Sequence, residues 1–410
     1  MGDTTSDVDL ASLSLQETYE PTVLDLHDIS LLLTYERGAY EPRFRYAKLR
    51  EVAFDPPSEF ETIRVLTPEW TDVRPGQERL GLVFDRVPPK SKGRTKAKNA
   101  NQKGKAKAAQ DDSNSDAEDS DPDLPTNMLP TPLSPRLRKL GLTSTQLETY
   151  YWQARNHDGC FRTVSLFQHF LDLFPPFTRL RIRTVTSTKD NTTGKAKEKP
   201  RTYTTLASPL IIEFHLLAQS TLTLSTVLPE GMSYISGAEP STIHAVLGFS
   251  APSPSAPSSP HEADTILDLA ALQFGTAGRG SKGRGLFVLE PIENYIHRLD
   301  RFATGGNTFR DAKRSVRISD SAPDREWLKH VARKVKRRWE ERDKIPWCGH
   351  CGAPPREGQD LKRCTKCRKV FYCDAEHQLA AWPFHKHFCV AEDGGDTTKG
   401  QDVDKKAETA

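Results

Sequence analysis

Seven cysteines occur in this chain, and six of them fall between Cys348 and Cys389; only Cys160 stands apart. Within that stretch the donors are regularly spaced. Cys348 and Cys351 are separated by two residues, as are Cys364 and Cys367; Cys373 and His377 are separated by three, as are His385 and Cys389. A C-x2-C pair closes on one ion across a tight turn, and pairs four positions apart are expected from one helical face. Structural zinc takes four tetrahedral Cys/His ligands, so eight donors suit two ions. Cysteines clustered in this way beside histidines point to an intracellular metal site, in cytoplasm or nucleus, and not to a secreted disulfide framework.

The agreement extends beyond the ligands. Phe371-Tyr372-Cys373, His377-Gln378, Trp382 and His385-Lys386 complete a pattern that resembles the MYND-type zinc finger. The resemblance implies two interleaved zinc sites, Cys348, Cys351, Cys373 and His377 in one, Cys364, Cys367, His385 and Cys389 in the other. His377 stands where that family usually has Cys, and imidazole is an ordinary zinc ligand. His350 and His387 break the spacing and are placed outside the ligand set. Closed four-ligand sites leave no position for a substrate, so the metals are read as structural. The resemblance further implies capture of short proline-containing peptides on partner proteins.

Composition limits the remainder. Hydrophobic residues make up 36% of the 410, prolines number 29, and mean hydropathy is −0.62, too polar for one compact unit over the whole length. The 58 Lys+Arg and 55 Asp+Glu nearly cancel, which argues against a nucleic-acid coat. No run reaches the roughly 18 apolar residues that span a bilayer, and the acidic N-terminus lacks a secretory h-region.

The expected fold class is α+β: a multi-part chain with a mixed α/β middle domain, disordered linkers and a small two-zinc finger near the C-terminus. Residues 1–19 read as disordered and 20–88 as short strands joined by turns. Residues 89–135 read as a basic-then-acidic disordered linker whose Pro-rich end, 129–135, favours polyproline II. An α+β domain is expected over 136–310, with disordered inserts at 186–202 and 251–262. Trp327, Val331, Val335 and Trp339 recur every fourth residue, so 321–343 reads as a basic amphipathic helix, with Ser321 as its cap. The finger occupies 345–390, and 391–410 read as a disordered tail. Oligomeric state is not legible.

Two further motifs fail on context. Gly278–Gly283 matches G-x-G-x-x-G but sits in a loop before Leu286-Phe287-Val288, not between a strand and a helix. Gly283-Arg-Gly-Leu286 is similar to the start of methyltransferases that pair a MYND finger with a SET domain. Most of such a catalytic domain would follow the finger, and only a short polar stretch follows Cys389.

A second constellation carries chemistry. Cys160 is expected at a helix N-terminus, where backbone amides favour a thiolate. His244 and Asp268 fall in successive strand-like runs. That chain order resembles papain-like and transglutaminase-like cysteine enzymes. The resemblance implies Cys160 as nucleophile, His244 as base and Asp268 as its orienting group, in acyl transfer or amide hydrolysis. Two functions are therefore expected: a zinc-binding adaptor that captures peptides, or a cysteine-dependent acyl transferase targeted by the finger.

Overall fold

The structure is a computed structural model. It describes residues 22–54, 68–87, 121–189, 196–252, 263–318 and 324–391. The expectations for 1–19, 89–120, 190–195, 253–262, Ser321 and 392–410 lie outside the described residues.

The region read as short strands contains a long helix. β1 (Val23–Asp25) leads into α1 (Leu26–Ala39). The Asp25 carboxylate caps α1 by accepting from the Asp28 amide at 3.2 Å. Nearly every residue of α1 is buried, Glu36 and Arg37 included. A helix buried on all sides shows no amphipathic period, which is why the sequence hides it. β2 (Ala47–Ala53), α2 (Pro68–Thr71) and β3 (Glu78–Arg86) follow.

The end of the expected linker is packed, not disordered. Asp123, Leu124 and Met128 are buried, and the Met128 carbonyl accepts from the Leu49 amide at 2.8 Å. Ser134 caps α3 (Pro135–Leu140). The Pro-rich segment 129–135 is thus part of the fold. Three apolar residues, Leu124, Met128 and Leu137, are enough to anchor a polar stretch.

α4 (Ser144–Arg155) begins at Thr143, which forms a capping box with Gln146. α5 (Cys160–Leu171) starts at the isolated cysteine. The described part of 186–202, read as an insert, belongs instead to two paired strands, β4 (Arg179–Lys189) and β5 (Ala196–Leu206), in register from Arg179↔Leu206 to Lys189↔Ala196. Its charged and threonine-rich sequence lacks apolar alternation, so only pairing reveals it.

The strands form three sheets in the body. One has the order β1-β4-β5, with β1 parallel to β4. A second has the order β2-β3-β7-β8, joining β7 (Thr221–Leu228) and β8 (Met232–Ser236) to the N-terminal strands. The third is antiparallel, in the order β11-β10-β9-β6-β12. It contains β6 (Leu210–Leu217), β9 (Ser241–Phe249), β10 (Thr265–Asp268), β11 (Val288–Pro291) and β12 (Lys313–Ser315). Residues 22–87 and the middle region therefore share sheets and are not side-by-side units. α6 (Gly280–Gly283) and α7 (Ile292–Phe302) flank the third sheet.

α8 (Arg325–Glu340) buries Leu328, Val331, Ala332, Val335 and Trp339 in the main core. Asp324, not Ser321, precedes it as the cap residue. Its basic side turns partly inward: Lys334 and Arg338 pair with buried Glu36 at 2.9 and 2.7 Å. The finger follows, with β13 (Lys362–Arg363), β14 (Phe371–Tyr372) and α9 (Ala375–His385). Among the described residues no helix is long and apolar enough to cross a membrane.

Candidate functional site

Two four-donor clusters occupy the finger. Cys348, Cys351, Cys373 and His377 converge in one, and Cys364, Cys367, His385 and Cys389 in the other, with all donor atoms of each cluster within 4.8 Å of one another. In the first, Cys348 Sγ lies 3.4 Å from His377 Nδ1 and the Cys351 and Cys373 sulfurs are 3.7 Å apart. In the second, Cys364 and Cys389 sulfurs are 3.8 Å apart and Cys367 Sγ is 3.5 Å from His385 Nε2. Zn–S bonds of about 2.3 Å at tetrahedral angles put two sulfurs about 3.8 Å apart, so both clusters have the size of a zinc shell.

Local structure delivers these donors differently from the one-face expectation. Cys373 precedes α9, and the Asp374 carboxylate caps that helix by accepting from the His377 amide at 2.8 Å. Only His377 and His385 lie on α9; Cys389 follows it, past a turn closed by the Phe388 amide on the His385 carbonyl. The i, i+4 spacing thus straddles both helix ends.

Residues 348–389 match the family model described as MYND finger. This segment is a MYND zinc finger. Curated relatives include the MYND-type zinc finger protein samB of Aspergillus clavatus, Aspergillus terreus and Neosartorya fischeri, each 34% identical over 65 residues. The match covers 15% of this chain and 11% of each relative. The similarity is thus confined to a small part of either protein. No solved structure matches the chain, and no comparison supports the resemblance of the middle region to cysteine enzymes.

The MYND finger is bound into the body through named contacts. His350 Nε2 meets buried Glu148 of α4 at 2.9 Å. Burial opposes the charge of that carboxylate, but His350 and then Arg279 hold its pKa at about 2. His387 and Lys386 both reach Glu198 of β5, at 3.1 and 2.8 Å. His350 and His387 are therefore docking residues, each aimed at a carboxylate of the body. Phe384 stacks on His27 of α1 at 4.0 Å. Gly352, at φ +76°, brings the finger backbone so close to α1 that an added Cβ would sit 2.4 Å from the Leu31 carbonyl oxygen. Sequence reading missed this docking because the partners Glu148 and Glu198 lie far from the motif.

The second constellation also meets in space. β9 and β10 pair through Leu267↔Leu247. One step further, Asp268 stands opposite Val246, on the face that His244 shares. His244 Nε2 lies 2.8 Å from Asp268 Oδ2. The Tyr295 hydroxyl donates to the same oxygen at 2.9 Å, and the Ala270 amide donates to Asp268 Oδ1 at 2.9 Å. The Gln273 amide nitrogen is 3.1 Å from His244 Nδ1. Cys160 lies beside this assembly, its thiol 3.9 Å from the carbonyl oxygen of Ile243, the residue before His244. Gln273, the fourth member, opens the Gln-Phe-Gly run that follows Asp268 in the sequence.

Burial by itself would strip the proton from His244. The Asp268 carboxylate, its hydrogen bond and Cys160 outweigh it and push the pKa from 6.5 to about 10. A raised folded-state pKa stabilises the fold fully below about pH 6.5, and that contribution is lost as pH rises through about 10. Melting temperature measured from pH 7 to 10 should therefore fall more steeply for the unmutated protein than for His244→Gln. Parallel profiles would contradict the ion pair.

Proposed function

We propose that this protein is a zinc-dependent interaction protein whose MYND finger captures short proline-containing peptides of partner proteins. The observation that carries the reading is the outer face of α9. Leu379 is 60% exposed and Trp382 40% exposed. They are three residues apart, so they share a helical face. The finger is held on the body through His350, Phe384, Lys386 and His387. An exposed Trp beside an exposed Leu on a helix so held is a pre-organised anchor, and such aromatic anchors dominate binding energy. Zinc supplies the fold of the module, and the side chains of α9 supply the contact.

Trp382→Ala tests this. Full-length protein is titrated with an array of synthetic proline-containing peptides. The substitution should weaken any captured peptide at least about tenfold while leaving zinc content and melting temperature unchanged. Absence of binding to every peptide, or binding indifferent to Trp382, would overturn peptide capture by this face.

A further inference from the structure

The assembly around His244 is costly to bury and has no part in zinc binding or in the α9 face. Its side chains are almost fully enclosed: His244 and Asp268 are 1% exposed and Cys160 is 4% exposed. Phe214 and Phe274 wall the imidazole, with ring centroids 5.6 and 5.2 Å away. A buried His–Asp pair is weak as a stabilising device, because desolvation offsets most of its attraction. Here the pair is also supported from behind, by the Tyr295 hydroxyl and the Ala270 amide on the carboxylate. Both contacts hold the carboxylate oriented toward Nε2, which leaves Nδ1 as the working nitrogen.

Three features place a nucleophile beside the imidazole. Cys160 is the first residue of α5, and no side chain caps that helix. Its first-turn amides and the positive end of the helix are thus available to negative charge near the thiol. β10 pairs with β9 only over Leu247–Phe249, so among the described residues no strand covers this edge at Ile243 and His244, where Cys160 of α5 meets Ile243. Ile243, whose carbonyl the thiol contacts, is 47% exposed. The thiol thus sits against a backbone segment whose own side chain reaches solvent.

We propose that Cys160, His244 and Asp268 form a thiol acyl-transfer site. Its substrate class is a slender acyl donor: an amide, ester or thioester carbonyl carried on an extended chain that reaches the thiol past Ile243. Cys160 and His244 are the catalytic residues; Asp268 and Gln273 position the imidazole. In the neutral ring, Nε2–H donates to Asp268 and Nδ1 accepts the thiol proton. The sulfur lone pair then forms a C–S bond to the carbonyl carbon, and the carbonyl π pair moves onto oxygen, facing the α5 amides. Collapse of that adduct breaks the bond to the leaving nitrogen, oxygen or sulfur, which takes the proton from Nδ1. Water, or a primary amine, then attacks the thioester with His244 again as base, releasing the acid or the new amide and restoring the thiol. When the ring is protonated, the Gln273 amide must turn its oxygen toward Nδ1, so this side chain follows the proton.

The test uses zinc-loaded, full-length protein and p-nitrophenyl acetate as acyl donor. The unmutated chain should acquire one acetyl group, mapped to Cys160 by peptide mass spectrometry. Glycine methyl ester as amine acceptor should remove it faster than water alone. p-Nitrophenol release should fall about a hundredfold in Cys160→Ala and in His244→Gln. Asp268→Asn should move the ascending limb of the pH–rate profile, where His244 gives up its proton, to lower pH, because the imidazolium loses the carboxylate that holds its proton. An unmoved limb would remove Asp268 from the site. Acetylation confined to surface lysines, or release equal in the unmutated protein and Cys160→Ala, would overturn the proposal without bearing on the α9 face. The unmutated protein decides the question even if His244→Gln fails to fold.

Discussion

Removing one thiolate, as in Cys364→Ala, is expected to unfold the MYND finger and to release zinc from the second cluster. The reason is thermodynamic. Residues 348–389 bury a small cluster that is largely the ligands themselves, Cys348, Cys364, Cys367 and Cys389 with Tyr372 and Ala381. Too little apolar surface is present to hold such a segment without metal. Structural zinc contributes on the order of 10 kcal/mol to folding in small finger modules, far more than any single side-chain contact here. Because the finger is docked on α1, α4 and β5, its collapse should also expose the apolar surface of the body at Leu31 and Tyr35. The expected readouts are loss of the finger's amide protection in hydrogen exchange and faster exchange in α1. Unchanged protection in Cys364→Ala would contradict the ligand assignment.

Glu148→Ala is expected to have the second largest effect, about 3 kcal/mol of lost stability. Glu148 joins two buried partners from separate parts of the chain, His350 of the finger at 2.9 Å and Arg279 at 2.9 Å. Arg279 is 1% exposed. Truncating the carboxylate leaves a buried guanidinium short of its counter-charge, the costly half of breaking a buried pair. Arg279 keeps its bonds to Thr149, Thr145 and the Arg284 carbonyl, which limits the loss to a few kcal/mol. Thermal unfolding should show the drop, and the finger should become more accessible to protease while keeping its zinc. A melting temperature equal to that of the unmutated protein would contradict the docking described for His350.

What the sequence made legible follows from how local each signal is. The finger is written in donors within a few residues of one another, so spacing alone yields both clusters. Helix α8 carries its own apolar face, so the expected 321–343 falls within a few residues of Arg325–Glu340. α1 was not legible, because a helix enclosed on every side presents no polar face to set a period. The β4–β5 pair was not, because pairing sustains its polar sequence where burial does not. Residues 121–135 read as linker because their composition is that of one; Leu124 and Met128 pack them all the same. At the second site, Cys160, His244 and Asp268 were visible as residue types in a meaningful order. Gln273 and Tyr295 complete the arrangement only through register and packing, which no single-sequence pattern encodes.

Zinc stoichiometry is the most direct test of the central claim, that the MYND finger is a two-ion module built into the body of this protein. Elemental analysis of purified full-length protein should find two zinc ions per chain. Cys364→Ser should lose the ion of the second cluster, and Cys348→Ser that of the first. One ion or none in the unmutated protein, or full occupancy in either variant, would contradict the two interleaved sites.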